Sequence, residues 1–255
     1  MRLLQDRLVS RIRILRSDPS HKKERFEKFE VPYEKGARIL ELLMTIREEM
    51  GHDIAYRAAC RTRLCGLCGV LVNGKPTLAC WDEALPEMTI EPLPHFPVIR
   101  DLVIDRSVYD ERIQRVAPYL VPKNPVSTKG PFTAETFDKV KPSEMSLPIE
   151  MQSCIECLLC VSACPIAEGG QAKFAGPAAL VRLAQFALDR RDGLDRGKIA
   201  YDDHVYDCTK CYACEEVCPA RIPIVRGIVA LEQLANRKDA SKREKHLKEM
   251  VRGYL

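Results

Sequence analysis

The twelve cysteines of this chain fall into three groups of four, with none left over. The groups are Cys60, Cys65, Cys68 and Cys80; Cys154, Cys157, Cys160 and Cys164; and Cys208, Cys211, Cys214 and Cys218. Iron–sulfur clusters are held by sets of four thiolates, and the spacing within a set indicates which cluster it binds. The cysteine pattern therefore predicts an iron–sulfur protein that conducts electrons.

The first group has the spacing Cys-x4-Cys-x2-Cys, with Cys80 following beyond an Asn73-Gly74 turn. This is the plant-type ferredoxin spacing, which is typical of a 2Fe–2S cluster. Gly66 and Gly69 allow a short loop to wrap the cluster and to direct backbone N–H groups at its sulfurs. The alternative is a structural zinc ion, which the four-residue gap and the distant fourth cysteine disfavour.

The second and third groups both read Cys-x2-Cys-x2-Cys-x3-Cys-Pro, the pattern of bacterial two-cluster ferredoxins. In this pattern the cysteine before proline binds the other cluster, so the two motifs exchange their fourth ligands. The predicted 4Fe–4S ligand sets are Cys154, Cys157, Cys160 and Cys218 for one cluster, and Cys164, Cys208, Cys211 and Cys214 for the other. Tandem zinc knuckles are the weaker alternative.

Charge and hydropathy limit the other classes of function. The net charge of +4 over 255 residues is too small to indicate a nucleic-acid partner. The chain has no run of about 20 apolar residues, and its first 16 residues lack the apolar stretch of a signal peptide. We therefore expect a cytoplasmic protein with reduced thiols, and no disulfide framework.

The pattern of apolar residues divides the chain into a first domain at 1–98 and a second at 99–255. The first domain combines alternating, strand-like segments with one helical segment, which predicts a small α+β sheet domain. Its elements are predicted as strands at 8–15 and 25–31, a helix at 39–50, and a hairpin at 70–78. A proline-rich joint follows, with Pro86, Pro92, Pro94 and Pro97.

The second domain is predicted to be helical. Helices at 177–189 and 222–235 each follow one of the Cys-Pro motifs, which indicates an approximate internal duplication. Residues 118–148 contain prolines and little periodicity, so they are expected to be irregular but packed. The charged tail at 238–252 is predicted to be a helix with a solvated face, rather than a basic binding tail.

No other motif in the chain indicates substrate chemistry. The sequence has no G-x-G-x-x-G, no Walker motif and no evident nucleophile–base pair. Its five histidines are scattered, and His95 is interpreted as a packing residue. We therefore predict no catalytic residues in this chain.

In these motifs the chain resembles a known family, the iron–sulfur subunit of succinate dehydrogenase/fumarate reductase. The similarity covers nearly the whole length and rests on the cysteine motifs and on three further segments. These segments are 94–105 (PHFPVIRDLVID), 153–157 (SCIEC) and 176–180 (GPAAL). The resemblance implies an N-terminal β-grasp, 2Fe–2S ferredoxin-like domain, followed by an all-α helical ferredoxin domain with two clusters.

The resemblance also implies a partner, a flavoprotein subunit that binds FAD and interconverts succinate and fumarate. Electrons would pass between the flavin and the 2Fe–2S cluster, and then through the two remaining clusters. Ordinary members carry a 3Fe–4S cluster as the third centre because a non-cysteine residue occupies the position of Cys211. The cysteine in this chain predicts a second 4Fe–4S cluster, and a 3Fe–4S cluster only if Cys211 is not a ligand.

A second departure from the family concerns the quinone site. Many members carry aromatic residues after the Cys-Pro of the second motif and a histidine after the first cysteine of the third motif. Here Ile166 follows Cys164-Pro165, and Thr209 follows Cys208. The third motif is similar to that of archaeal-type, thiol-dependent fumarate reductases, which implies a heterodisulfide-reductase-like partner subunit in place of, or besides, a membrane anchor.

Two alternatives stay open for the function. The chain is either a relay for a succinate dehydrogenase/fumarate reductase or a relay for another flavoprotein oxidoreductase or a hydrogenase/heterodisulfide reductase assembly. A third interpretation, a zinc-bound structural or nucleic-acid adaptor, is disfavoured by the cysteine spacing. The expected location is the cytoplasm, at the inner face of the membrane if a partner subunit holds the chain there.

Overall fold

The structure is a computed structural model, and it describes residues 8–17, 24–123, 139–167 and 173–236. Its strands are β1 (Leu8–Arg16), β2 (Arg25–Tyr33), β3 (Gly69–Val72), β4 (Lys75–Leu78), β5 (Glu87–Glu91), β6 (Val98–Arg100) and β7 (Val103–Ile104). Its helices are α1 (Ile39–Met44, continued by a π turn at Thr45–Glu49), α2 (Ser107–Arg115), α3 (Ser146–Gln152), α4 (Leu159–Ser162), α5 (Pro177–Ala187), α6 (Arg196–Asp202), α7 (Ala213–Glu216) and α8 (224–236). Two short 3-10 turns lie at Pro142–Glu144 and Val205–Asp207.

The first domain is built on a five-stranded mixed sheet in the order β2-β1-β5-β3-β4. Strand β1 pairs antiparallel with β2 and parallel with β5, and β3 pairs antiparallel with both β5 and β4. In β1 and β2 every second residue is buried, because successive side chains point to opposite faces of a strand. Helix α1 buries most of its residues in the same core, as its helical apolar spacing predicts.

Strand β5 lies at the centre of the sheet, although the sequence indicated only a proline-rich joint there. It pairs with β1, with Ile12 opposite Met88 and Ile14 opposite Ile90, and all four side chains are buried. Pro86 and Pro92 flank this strand of only five residues, so the sequence shows little strand-like alternation by which to recognise it. The prediction of a joint was therefore wrong for residues 87–91.

The hairpin between β3 and β4 was predicted correctly. Asn73 and Gly74 both have positive φ, +49° and +80°, as a type I′ turn requires. The hairpin places Cys68 just before β3 and Cys80 just after β4. The hairpin therefore brings Cys80, the fourth cysteine of the first group, close to the loop that carries the other three.

The segment after the sheet is attached to the first domain by a buried carboxylate. Asp101 accepts hydrogen bonds from Arg16 Nε at 3.0 Å, from the Ser17 amide at 3.2 Å and from the Ala55 amide at 2.9 Å. These contacts join the end of β1, the chain before the first cysteine loop and the β6–β7 hairpin. The predicted domain boundary at 98/99 falls inside this hairpin, in β6. The position of the boundary therefore stays a prediction.

The second domain is helical, as expected. Helix α5 begins at Pro177 and ends two residues before the predicted end, and α8 begins two residues later than predicted. Helix α3 begins at Ser146, inside the stretch that was expected to be irregular, and α2 and α6 carried no clear sequence signal. The predicted tail helix at 238–252 lies outside the described residues.

A buried ion pair ties helix α6 to the chain that follows α2. Arg196 Nε contacts Asp192 Oδ2 at 2.8 Å, and both side chains are almost fully buried. The same guanidinium donates to the carbonyl oxygens of Val116, Ala117 and Tyr119. The Arg196 guanidinium therefore holds the chain that follows α2 through three of its carbonyl oxygens. Among the described helices, none is long and apolar enough to cross a membrane.

Candidate metal centres

All twelve cysteines lie in described residues, and every one of them is a free thiol. Four are buried, namely Cys68, Cys80, Cys160 and Cys214; Cys211 is exposed, and the other seven are half-buried. Each sulfur is therefore available as a ligand. Neighbouring thiols fall into three sets, one for each predicted cluster.

The first cysteine loop directs backbone N–H groups at a sulfur. The amides of Thr62, Leu64 and Cys65 donate to Cys60 Sγ at 3.4, 3.2 and 3.3 Å. Positive φ at Arg61 and Arg63 turns these amides inward, which produces an anion-binding concavity. The donors lower the pKa of the Cys60 thiol to about 6, the Thr62 amide contributing most. The loop thus favours the thiolate that a metal ligand must be.

The other side of the first centre is buried. Burial raises the pKa of Cys68 to about 12, and the electrostatic effects of the Cys80 and Cys65 thiols act in the same direction. The Ala79 amide donates to the Cys68 carbonyl oxygen at 3.0 Å, which fixes the loop against the end of β4. The structure therefore brings the four predicted cysteines of the first group together around one loop.

The second set combines residues from two motifs. The thiols of Cys154, Cys157 and Cys160 have Cys218 as an electrostatic neighbour, although Cys218 is 58 residues from Cys160 in sequence. Burial raises the pKa of Cys157 to about 12, and it also raises the pKa of Cys160. The four side chains line one small cavity, together with apolar residues that include Ala178 and Val181 of α5.

The third set is the reciprocal one. Cys214 has Cys208, Cys164 and Cys211 as neighbours, and burial raises its pKa to about 12. Cys164 likewise has Cys208 and Cys211 beside it. The grouping matches the predicted exchange of Cys164 and Cys218 between motifs. The ligation itself stays a prediction, because the structure carries no cluster.

The two Cys-Pro motifs share one backbone conformation. Positive φ occurs two and four residues after the first cysteine of each: at Glu156 and Leu158, and at Lys210 and Tyr212. A single helical turn follows in each case, α4 and α7, and these two turns contact each other. The backbone amides of Glu156 and Lys210 act to lower the pKa of the thiol of the first cysteine in each motif, against the effect of burial. The internal duplication inferred from sequence therefore extends to the amides that face the sulfurs.

The loops that carry the first and second cysteine sets are in direct contact. A Cβ on Gly66 would lie 2.4 Å from the carbonyl oxygen of Ile155, and one on Gly69 would lie 3.2 Å from that of Cys157. Only glycine allows the two cysteine loops to approach so closely. On the other side, Cys160 has Cys214 of the third set as a neighbour. Backbone contacts therefore join the first and second cysteine loops, and neighbouring thiols join the second and third sets.

Charged residues beside the centres were not identified from sequence. Arg182 Nε donates to Glu156 Oε1 at 2.7 Å, and its Nη2 donates to the Cys154 carbonyl oxygen at 2.9 Å. Lys210 Nζ contacts Glu232 Oε1 at 2.7 Å near the third set. Glu156 lies inside the SCIEC segment, so its place beside the second cysteine set could have been predicted from sequence. Nothing in the sequence indicated that Arg182 on α5 would lie there.

The donor chemistry fits iron–sulfur clusters. Each centre has four thiols, backbone N–H groups aimed at sulfur, and little competing oxygen or nitrogen donation. In residues 8–17, 24–123, 139–167 and 173–236, no three histidine, cysteine, aspartate or glutamate side chains converge tightly enough to hold a single ion. An iron–sulfur cluster distributes its four thiolates over several iron atoms, so its ligands do not need to converge on one point.

Comparison with known families agrees with this interpretation. Residues 11–111 match the 2Fe-2S iron-sulfur cluster binding domain, and residues 150–222 match the 4Fe-4S dicluster domain. The fold is similar to a chain of the Mycobacterium smegmatis Sdh1 complex in the apo form, with a TM-score of 0.79. That match has 27% sequence identity and covers 91% of this chain and 98% of the other.

Three relatives define the relationship by sequence. The chain is 38% identical to an uncharacterized iron–sulfur protein of Methanococcus maripaludis, over 82% of this chain and 41% of the relative. It is 30% identical to a subunit of the fumarate reductase (CoM/CoB) of Methanothermobacter marburgensis, over 93% of this chain and 46% of the relative. It thus spans less than half the length of these two relatives.

The third relative is matched over most of both chains. The fumarate reductase iron-sulfur subunit of Haemophilus influenzae is 33% identical, over 84% of this chain and 88% of the relative. The two-domain fold, the two matched cluster-binding domains and this similarity lead to one conclusion. The chain belongs to the family of iron–sulfur subunits of fumarate reductase and succinate dehydrogenase.

Proposed function

We propose that this chain is the electron-relay subunit of a succinate dehydrogenase/fumarate reductase complex. It would hold one 2Fe–2S cluster and two 4Fe–4S clusters, and would pass electrons between an FAD-containing flavoprotein and a further subunit. The bound clusters would supply one-electron redox chemistry that protein side chains lack. The observation that carries the proposal is the series of three neighbouring cysteine sets, the first two joined at Gly66 and Ile155.

The residues of the chain have two tasks in this proposal. The thiols hold the clusters, with Cys60, Cys65, Cys68 and Cys80 for the 2Fe–2S cluster and the two crossed sets described above for the 4Fe–4S clusters. Burial of Cys160 and Cys214 would limit the access of water to one side of the second and third centres. Low solvent access and hydrogen bonds to sulfur are the means by which a protein adjusts cluster potentials.

Exposed apolar side chains lie beside the two outer centres. Leu64, Leu67 and Trp81 are exposed next to the first centre, and Trp81 stacks under the guanidinium of Arg63 at 4.2 Å. Tyr212 is exposed beside the third centre. Exposed apolar groups of this kind are typical of protein–protein contact sites. We assign the first surface to the flavoprotein and the second to the next subunit in the relay.

The third centre supports a thiol-linked acceptor over a quinone. Cys211 neighbours Cys164 and Cys214 and supplies a fourth thiol, so we propose that this cluster retains its fourth iron. One relative is named for CoM and CoB, which favours a heterodisulfide-reductase-like partner over a membrane anchor. We propose a cytoplasmic location, with any attachment to the membrane made through partner subunits.

Anaerobic co-purification tests this function. The tagged full chain should bring down a flavoprotein, and the complex should oxidise succinate or reduce fumarate with a redox dye. Iron and acid-labile sulfide should approach about ten of each per chain, which is the sum for one 2Fe–2S and two 4Fe–4S clusters. Co-purification with a flavoprotein that acts on neither dicarboxylate would instead favour the relay of another oxidoreductase or of a hydrogenase/heterodisulfide reductase assembly.

A further inference from the structure

One buried hydroxyl group in the second domain has no hydrogen-bond partner. Tyr109, on α2, is only 2% exposed, and its hydroxyl oxygen is unpaired within the described residues. Leaving a buried polar group unpaired costs about 1–3 kcal/mol. Phenylalanine would fill the same space without this cost, so the hydroxyl calls for an explanation.

The surroundings of the hydroxyl identify a class of partner. Burial raises the pKa of the hydroxyl, the charges of Glu156, Cys154 and Cys160 raise it further, and Arg182 lowers it. Two of these are thiols of the second set. The tyrosine ring belongs to the same hydrophobic core as Leu159 and Cys160 of α4, and α2 packs on α5, which lines the second cavity.

The two charged neighbours already satisfy each other. Arg182 Nη2 lies 2.6 Å from Glu156 Oε1 and also donates to the Cys154 carbonyl oxygen, while Nη1 donates to Gln185 Oε1. Arginine has no acceptor to offer, and within the described residues the Tyr109 hydroxyl makes no hydrogen bond to the Glu156 carboxylate or to a thiol. The acceptors that a bound second cluster would add on this side are its inorganic sulfides.

We propose that the Tyr109 hydroxyl donates a hydrogen bond to an inorganic sulfide of the second 4Fe–4S cluster. A donor at this position stabilises the additional negative charge of the reduced cluster and so raises its reduction potential. Tyr109 is a positioning and tuning residue, since it reaches the cluster without ligating it. The inference rests on the proposed cofactor set.

The test is an anaerobic, EPR-monitored redox titration of the full-length holoprotein and of Tyr109→Phe. We assign the second cluster as the centre that is lost in Cys157→Ser. In Tyr109→Phe its ratio of reduced to oxidised cluster at a fixed potential should fall about tenfold, which for a one-electron couple is a shift of about 59 mV to more negative potential. The other two centres should not move.

Tyr119→Phe is the matched control. It removes the same hydroxyl from a side chain that is 60% exposed, and it should leave all three potentials at the wild-type values. An unchanged second potential in Tyr109→Phe, at full iron and sulfide content, would overturn the inference while leaving the relay function intact. Absence of the second cluster from the wild-type chain would overturn both.

A spectroscopic measurement on the wild-type protein does not depend on how well the variant loads. Proton ENDOR of the reduced second cluster should detect a strongly coupled hydroxyl proton that is replaced in deuterated water. The corresponding coupling should be missing from Tyr109→Phe. If the wild-type spectrum contains no such exchangeable proton beyond those of the backbone amides, the hydroxyl does not reach the cluster.

Discussion

Gly66 of the first cysteine loop lies directly against the carbonyl oxygen of Ile155, at the start of the second. A Cβ at Gly66 would be 2.4 Å from that oxygen, which is closer than real Cβ atoms approach. The backbone of Gly66 also has a φ of +69°, a region that favours glycine. One glycine thus sets how closely the first cysteine loop approaches the second.

Gly66→Ala should therefore cost more stability than backbone strain alone. We expect about 1–2 kcal/mol from the left-handed conformation and an additional loss from the clash with Ile155. Gly51→Ala is the control, because Gly51 has a similar φ of +72° and no atom within 4 Å of its would-be Cβ. Anaerobic thermal unfolding should give a clearly lower Tm for Gly66→Ala. Equal losses in the two variants would show that the contact has no energetic consequence.

Cys211→Ser tests the fourth thiol of the third centre. Serine lacks the soft sulfur that retains the fourth iron, so the oxidised variant should show a stoichiometric 3Fe–4S EPR signal that the wild-type protein lacks. Anaerobic preparation is required because air can remove iron from an exposed cluster. A stoichiometric 3Fe–4S signal in the anaerobic wild-type protein would mean that Cys211 is not a ligand.

Cys218→Ser tests the exchange of ligands between the motifs. Cys218 belongs to the third motif in sequence, but it neighbours Cys154 and Cys157 in the fold. The variant should alter or lose the second cluster and leave the third intact, whereas Cys164→Ser should do the reverse. EPR spectra and iron content of both variants distinguish the crossed arrangement from one in which each motif binds its own cluster.

The Arg196–Asp192 pair should be important for stability. Arg196→Met leaves Asp192 as an unpaired, buried charge, and we expect a loss of about 3–5 kcal/mol. Lys198→Met removes an exposed pair with Asp202 from the same helix, at the same i,i+4 spacing, and should cost about 0.5 kcal/mol or less. Denaturant unfolding of the two variants gives the comparison, and similar losses would contradict this account.

The same pair predicts a pH dependence. Burial acts to raise the pKa of Asp192, but hydrogen bonds from Arg196 and Val121 outweigh it and hold the folded-state pKa below its usual value. A lowered carboxyl pKa stabilises the folded state above the unfolded pKa of about 3.9, and this stability is lost as the pH falls through the folded pKa. The wild-type protein should therefore lose more unfolding free energy than Arg196→Met between about pH 5 and pH 3.

The local features of the fold could be read from sequence because their causes are local. The alternation of β1 and β2, the Asn73-Gly74 turn and the proline at the start of α5 each specify structure over a few residues. Strand β5 was missed because five residues between prolines carry little pattern. Its central place depends on pairing with β1, more than 70 residues away in sequence.

By itself, the sequence determined how many cysteine motifs the chain has and which cysteines belong to each. It also predicted that two of the motifs exchange a ligand. Both follow from the sequence because the geometry of a cluster fixes the number and spacing of its thiolates. Only the tertiary structure decided what lies between and beside the centres. It brought Gly66 against Ile155 and left the Tyr109 hydroxyl buried near Cys154 and Cys160. Such contacts join residues far apart in sequence, so no local pattern encodes them, and packing alone sets their distances.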